Sequence, residues 1–235
     1  MAIKKPTQLS LNVASIETLG TLDGPGLRTI IFFKGCPLRC KYCHNADMLS
    51  FEGGEKWTID SLVTKCIKYK NFYGENGGVT LSGGEPLTQQ SPSLVLLIKE
   101  LQKKDIHVVL DTSGFPFSEE VLSVVDLVIL DVKHTDKEAY LDLVGVPIDD
   151  CLKSLEYLKK IGKPFWVRQV IVEGITDNVT QILKLKELAQ GAEKIELLAY
   201  HKMGVNKWKT LGLKYPLENI PATSKKTMDK LNALL

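Results

Sequence analysis

Residues 35–45 read GCPLRCKYCHN, and this stretch places three of the chain's five cysteines within eight residues, directly after an apolar run. Three thiolates at the spacing Cys-x3-Cys-x2-Cys on one tight turn can hold three irons of a cubane [4Fe–4S] cluster. Because protein clusters are normally held by four cysteines, the fourth iron is left open to bind a ligand. We therefore interpret Cys36, Cys40 and Cys43 as the ligands of one cluster-binding loop.

Two other interpretations of these cysteines explain less. A structural zinc site needs four closed ligands, and His44, bonded directly to Cys43, is poorly placed to complete a tetrahedron with its own neighbour. A disulfide framework leaves an odd cysteine, and nothing upstream marks the chain for secretion. Cys66 and Cys151 lie in helical patterns, so we expect them to be small buried residues.

The composition is that of an ordinary globular protein. The 235 residues are 44% hydrophobic and 25% charged, and we expect one domain over 1–235 with a loose N-terminal arm at 1–12. A net charge of +2 is too small to indicate nucleic acid or an anionic membrane as a partner. No run approaches the roughly 18 apolar residues of a membrane helix, and a reducing cytoplasm suits free thiols. We expect a cytoplasmic protein.

Apolar strands alternate with helical patterns along the chain. The predicted strands lie at 27–33, 79–81, 106–110, 127–130, 165–172 and 195–200, with helical patterns at 93–102, 118–125, 136–143, 149–161, 179–190 and 224–235. A further helix begins near Thr58 and Ser61, which can cap it. This alternation favours right-handed crossovers and a parallel α/β sheet. Periodicity alone leaves open whether the sheet is doubly wound or curved into a partial barrel.

Polar residues collect where the predicted strands end. They are the cysteine loop and the groups at 83–85, 111–112, 131–133 and 200–201. Because ligands of parallel α/β sheets gather at the carboxyl ends of the strands, these positions predict a single active site. Taken alone, the Gly-Gly-Glu-Pro run at 83–86 is an ordinary turn, and Arg168 on the fifth strand fits a structural ion pair equally well.

The cysteine spacing, with Tyr42 before the last cysteine, resembles the signature of the radical S-adenosylmethionine superfamily. The turn Asp23-Gly24-Pro25-Gly26, the run YCHN at 42–45 and the run SGGEP at 82–86 narrow the resemblance to glycyl-radical-enzyme activating enzymes, closest to the pyruvate formate-lyase type. Only 39 residues separate Cys43 from Gly83, which leaves no room for the ferredoxin-like insert of several other activases. The resemblance implies a radical SAM fold, a partial (β/α)6 TIM-like barrel whose parallel sheet is open on one side.

The resemblance also implies roles for individual residues. Contacts to S-adenosylmethionine are implied for Tyr42, Cys43, His44, Gly83, Gly84, Glu85, Asp131, Val132, Lys133, Arg168 and His201. Glu85 is expected either to anchor the cofactor or to support its loop, and the two glycines to let the backbone approach the cofactor. A monovalent cation, Na⁺ or K⁺, is implied at Asp111, Thr112 and Asp131.

Residues 201–217 follow the last strand without helical or strand periodicity, and we predict a long functional loop. The alternative is a surface crossover in which Trp208 covers the core. The resemblance implies that this segment and the 23–26 turn contact a substrate peptide, through Asp23, Gly24, Trp208 and Tyr215.

The implied activity is reductive cleavage of S-adenosylmethionine, followed by hydrogen abstraction from a backbone glycine Cα of a glycyl radical enzyme under anaerobic conditions. The implied partners are that enzyme, most closely pyruvate formate-lyase, and an electron donor such as flavodoxin or ferredoxin. We expect a monomer that binds neither nucleic acid nor membrane. The alternatives are a radical enzyme acting on another glycyl radical enzyme or a small molecule, and an iron–sulfur electron carrier or redox sensor, although carriers ordinarily close all four cluster positions.

Overall fold

The computed structural model describes residues 9–235, and over these residues eight strands form one sheet. The strands are β1 (Ser10–Gly20), β2 (Arg28–Phe33), β3 (Glu55–Thr58), β4 (Gly78–Gly83), β5 (His107–Thr112), β6 (Leu127–Asp131), β7 (Phe165–Ile171) and β8 (Lys194–Ala199). Their order is β3-β1-β2-β4-β5-β6-β7-β8. All neighbours from β2 to β8 are parallel, whereas β1 is antiparallel to both β2 and β3. Since β3 and β8 do not pair within the described part, the sheet stays open.

Helices connect the parallel strands and cover one face of the sheet. Within residues 9–235 they are α1 (Ile59–Ile67), α2 (Lys70–Tyr73), α3 (Ser91–Gln102), α4 (Glu119–Val124), α5 (Lys137–Val144), α6 (Asp149–Lys160), α7 (Val179–Leu188), α8 (Val205–Thr210) and α9 (Lys225–Asn232). The predicted cap of the first helix is confirmed, because the Thr58 side chain accepts a hydrogen bond from the Ser61 N–H. None of these helices is long and apolar enough to span a bilayer.

The parallel strands are apolar on both faces, as the uninterrupted run at 127–130 predicts. Alternate residues of β6 belong to two different hydrophobic clusters, with Val128 and Leu130 in the large one and Leu127 and Ile129 in a small one. The large cluster joins the sheet to the helices. The small cluster, completed by Val109 and the partly buried Trp166, occupies the opposite face of the sheet. Both faces of the central strands are therefore covered by apolar side chains.

The six predicted parallel strands are confirmed, but two antiparallel strands and the short helices α2 and α8 were not predicted. Part of the predicted N-terminal arm, residues 1–8, lies outside the described residues, and its last three residues are wrongly assigned because β1 begins at Ser10. β1 carries polar residues among its apolar ones, since only part of it is buried. The prediction of an irregular segment after the last strand is wrong at α8.

Candidate active site

Polar side chains at the carboxyl ends of the parallel strands surround one pocket of about 250 Å³. Its walls come from the cysteine loop and from the ends of β4 to β7. The predicted site residues that line it are Cys36, Cys40, Tyr42, Cys43, His44, Gly83, Gly84, Glu85, Asp111, Thr112, Asp131, Lys133 and Arg168. His201, just beyond β8, stacks on His44, which itself lines the pocket. The fold thus brings the five polar strand ends to one place.

The three loop cysteines line this pocket as free thiols. Cys36 and Cys40 are buried, and Cys43 is half-buried. Burial raises the pKa of each thiol, that of Cys40 to about 12, so all three are protonated until a metal displaces the proton. Three thiols on one turn facing a common polar space fit a cubane cluster, in which each thiolate binds a different iron.

The two glycines at the end of β4 allow close packing against the start of the cysteine loop. A Cβ added to Gly83 would lie 2.3 Å from the backbone nitrogen of Phe33, and one added to Gly84 would lie 2.2 Å from the carbonyl oxygen of Gly35. The Gly84 N–H donates to the Phe33 carbonyl at 2.8 Å, and the Glu85 N–H donates to the Gly35 carbonyl at 2.9 Å. The absence of side chains at both positions therefore lets β4 pack and hydrogen-bond against the start of the cysteine loop. The sequence did not show this reason for the two glycines.

Glu85 supports the pocket wall. Its buried side chain accepts hydrogen bonds from the Thr112 hydroxyl (2.5 Å), the Ser113 hydroxyl (2.6 Å), the Ser113 N–H (2.9 Å) and the Leu87 N–H (3.1 Å). Burial raises the pKa of this carboxyl, while the four donors favour its ionised form. Of the two roles expected for Glu85, these contacts favour support of the loop.

Asp131 and Lys133, at the end of β6, form a half-buried ion pair beside the ring of Tyr42. Burial opposes the charge of Lys133, but Asp131 and Tyr42 outweigh it and raise the pKa of the ammonium, which stays protonated. Asp131 Oδ1 is buried and has no hydrogen-bond partner among residues 9–235. Val132 is placed elsewhere, because its side chain lies in the core and its N–H and carbonyl both bond to β7.

Arg168 forms structural ion pairs, which is one of the two roles that the sequence left open. It also lines the pocket. Its guanidinium lies 2.8 Å from Glu196 and 3.6 Å from Asp111, and it donates to the carbonyl of Leu22. Burial raises the pKa of Asp111, and Arg168 opposes this. The Ser82 hydroxyl donates to the same carboxylate at 3.0 Å.

Each residue predicted to hold a monovalent cation already has a protein partner. The Thr112 hydroxyl donates to Glu85, Asp111 faces Arg168, and one oxygen of Asp131 accepts from Lys133. In the described part of the chain, no group of three or more His, Cys, Asp or Glu side chains is arranged to hold a single metal ion. Asp131 Oδ1, which is buried and unpartnered within residues 9–235, remains open to a ligand.

Two histidines close the pocket on the β8 side. The rings of His44 and His201 stack with centroids 4.1 Å apart, and His44 Nε2 lies 3.0 Å from the His201 carbonyl. Burial lowers the pKa of His44, so its ring is neutral at neutral pH. His201 Nδ1 is buried without a partner in residues 9–235, which leaves one polar atom for a ligand at this wall.

Arg28 holds the 23–26 turn in place, a role that the sequence analysis missed. It is fully buried at the start of β2 and donates to the Pro25 carbonyl (2.8 Å) and to the Thr80 hydroxyl (2.6 Å), which itself donates to the Asp23 carbonyl (2.6 Å). Gly24, with φ of +125°, lies directly against Arg28. These bonds hold the 23–26 turn beside the strands. An arginine inside an apolar strand was the signal available in the sequence.

Trp208 and Tyr215 are placed differently from the prediction of peptide contacts. Trp208, on α8, is only 7% exposed, and its indole N–H donates to the Cys43 carbonyl at 2.8 Å. Tyr215 is 5% exposed, packs edge-on against Trp208, and its hydroxyl donates to that of Tyr200 at 2.9 Å. Both side chains are therefore buried next to the cysteine loop and offer little surface to a peptide.

Comparisons with known proteins identify the class of protein to which the chain belongs. A family model described as a 4Fe-4S single cluster domain matches residues 22–154. The structure of SuiB from Streptococcus suis bound to S-adenosylmethionine is similar, with a TM-score of 0.65 at 16% identity over 87% of this chain and 47% of that one. A radical SAM methyltransferase from Sphaerobacter thermophilus gives a TM-score of 0.63 at 14% identity over 88% and 63%. The fold is that of radical SAM enzymes, so the predicted partial barrel is confirmed, and the family model indicates one [4Fe–4S] cluster.

More similar sequences narrow this class. The pyruvate formate-lyase-activating enzyme of Clostridium pasteurianum is 41% identical over 232 residues, which cover 95% of this chain and 96% of that protein. The enzyme of the same name from Staphylococcus epidermidis is 41% identical over 88% of this chain and 87% of its own. The chain therefore belongs to the family of pyruvate formate-lyase-activating enzymes.

Proposed function

We propose that this protein activates pyruvate formate-lyase by abstracting a hydrogen atom from a backbone glycine Cα of that enzyme. The observation that carries the proposal is the pocket itself, which three thiols and a half-buried lysine–carboxylate pair line together. In this proposal the pocket holds a cluster and, beside it, the methionine end of S-adenosylmethionine. The names of the relatives support the choice of partner.

The pocket walls have separate tasks in this proposal. Cys36, Cys40 and Cys43 hold the cluster, which when bound supplies the electron that cleaves S-adenosylmethionine to an adenosyl radical. The ammonium group of Lys133 lies near the methionine carboxylate. Asp131 Oδ1 accepts a hydrogen bond from the methionine ammonium or binds a monovalent metal ion. The remaining wall residues exclude water from the cleavage site.

The stacked His44 and His201 form the wall beside the adenosyl group. His201 Nδ1, buried and unpartnered within the described residues, is the atom through which this wall would hydrogen-bond the cofactor. Burial lowers the pKa of His44, which favours its uncharged ring beside the adenosyl group.

The substrate glycine enters beside the 23–26 turn. Asp23 is half-buried there, and its neighbour Leu22 is 82% exposed, so the turn presents a carboxylate and an apolar side chain together. A glycine Cα suits the reaction, because its radical is delocalised between the amide nitrogen and the carbonyl and no side chain blocks the approach. Asp23 and Gly24 are the peptide contacts that we retain.

The cellular setting follows from this chemistry. An external one-electron donor such as flavodoxin or ferredoxin reduces the cluster, and the protein acts as a monomer in the cytoplasm. The support for this setting is that all five cysteines are free thiols, the state that a reducing compartment maintains.

The test is anaerobic reconstitution with iron and sulfide, followed by incubation with reductant, S-adenosylmethionine and pyruvate formate-lyase. We expect a glycyl radical doublet in the electron paramagnetic resonance spectrum and one 5′-deoxyadenosine per radical. Cleavage of S-adenosylmethionine without a doublet on any glycyl radical enzyme would indicate a small-molecule substrate. Absence of cleavage by a reduced, fully loaded protein would indicate an electron carrier.

A further inference from the structure

Residues 201–208, which we call the α8 clamp, lie against the C-terminal end of the cysteine loop. The Trp208 indole N–H donates to the Cys43 carbonyl at 2.8 Å, a contact between residues 165 positions apart. Next to it, Lys207 Nζ lies 3.1 Å from Asn45 Oδ1 and 2.9 Å from Asp47 Oδ1. The clamp thus bonds to the third cysteine and to the turn that follows it.

The start of the clamp packs just as closely. The His201 ring stacks on His44, and His44 Nε2 lies 3.0 Å from the His201 carbonyl. A Cβ added to Gly204 would lie 2.7 Å from the Cα of His44, so this position of the clamp has room only for glycine. The clamp and the residues after Cys43 are therefore packed backbone to backbone.

The first two cysteines are held by different means. The Cys36 N–H donates to the Leu49 carbonyl at 3.2 Å, within the loop region itself. The backbone N–H groups on either side of Cys40, those of Arg39 and Lys41, donate to carbonyls at the end of α5 at 2.7 and 3.0 Å. Cys36 and Cys40 are thus held by bonds within the loop and from α5, and the Arg39 guanidinium donates to the Cys36 carbonyl at 2.8 Å. The Cys43 N–H donates to the Cys40 carbonyl at 3.0 Å, but the side chain that contacts the Cys43 carbonyl comes from the far end of the chain.

We infer that Trp208 and Lys207 are positioning residues for Cys43, so that the α8 clamp sets how firmly the third thiolate holds its iron. A cluster with three protein ligands has no fourth thiolate to retain it when one ligand moves. The two side chains act through the Cys43 carbonyl and the 45–47 turn, and neither lines the pocket. This role concerns cluster retention alone and does not depend on the identity of the radical's substrate.

The experiment measures iron release to a chelator under anaerobic conditions, without S-adenosylmethionine or partner enzyme. Trp208→Phe keeps the ring but removes the N–H, and the loss of one hydrogen bond predicts release about five- to tenfold faster than wild type. Trp57→Phe, in β3 at the far edge of the sheet, is the matched control and should release iron at the wild-type rate. The reduced cluster of Trp208→Phe should also show altered g values.

Lys207 provides an independent arm, because its side chain is partly exposed and its loss should not prevent folding. Lys207→Met should release iron faster than wild type, and Lys207→Arg, which can still reach both oxygens, should restore the rate. In the metal-free state, wild type, Lys207→Met and Lys207→Arg should have the same melting temperature. Wild-type release rates and g values in both Trp208→Phe and Lys207→Met would overturn the inference. If Trp208→Phe does not fold, the Lys207 pair decides it.

Discussion

The two sides of the pocket differ in how completely the protein satisfies their polar groups. On the β4–β5 side, the carboxylate of Glu85 accepts four hydrogen bonds. On the β6–β8 side, Asp131 Oδ1 and His201 Nδ1 are buried without a partner among residues 9–235. A buried polar atom left unpaired costs about 1–3 kcal/mol, so a ligand that pairs with such an atom beside the pocket recovers this cost. The first side supports the cysteine loop, and the second is suited to receive a ligand.

The largest effect is expected where both sides meet, at the loop thiols. Cys36→Ala, Cys40→Ala or Cys43→Ala should each abolish the cluster, because no other cysteine lines the pocket among the described residues. Cys66→Ala and Cys151→Ala, which change thiols buried in α1 and α6, should retain it. Iron content and the visible absorption of the reconstituted protein measure this. An intact cluster in any loop variant would contradict the assignment.

Glu85→Gln tests the satisfied side. Backbone N–H groups donate to both carboxylate oxygens, so the amide NH₂ must face an N–H whichever way it turns. We expect a loss of about 1–3 kcal/mol in the free energy of unfolding, and less cluster per protein. Ser113→Ala, which removes one hydroxyl donor, should cost less. Equal stability of Glu85→Gln and wild type in denaturant unfolding would show that this side is not a support.

Lys133→Ala and His201→Ala test the unsatisfied side. Both should keep a normal iron content and bind S-adenosylmethionine more weakly, Lys133→Ala by about 10- to 100-fold because a charged hydrogen bond is lost. His201→Ala should weaken binding less. Isothermal titration of the reconstituted variants measures the affinities. Wild-type affinity in both would mean that the open atoms of this wall serve the fold alone.

The smallest expected effect concerns pH. Burial raises the pKa of Asp23 above its unfolded value, so the folded state binds the proton more tightly and stability falls as pH rises through the folded pKa. Asp23→Asn should therefore gain melting temperature relative to wild type as pH rises above about 4. Asp136, an N-cap whose pKa is lowered by backbone N–H donors, is the control of opposite sign. Asp136→Asn should lose relative stability at lower pH, as the pH rises towards about 4, and the difference from wild type should stay constant above that.

How much the sequence predicted depended on the range of the contacts involved. The cysteine spacing, the buried β6 and the Thr58 cap are local patterns, and all three were recognised before the structure. β1 and β3 were missed because each is an edge or near-edge strand whose polar residues break the alternation. α8 was missed because its six residues are too few to show helical periodicity.

The sequence by itself determined the chemistry, since the thiol spacing and the turn residues are read within a few positions of each other. Only the tertiary structure decided which polar groups are already satisfied. Glu85 and Asp131 are both strand-end carboxylates in the sequence. The Glu85 carboxylate accepts four hydrogen bonds, whereas Asp131 Oδ1 is buried without a partner among residues 9–235. Likewise Trp208 bonds to Cys43 across 165 positions. The physical reason is that hydrogen-bond partners and burial come from neighbouring strands and helices. Local sequence does not show which of these elements will lie next to each other in space.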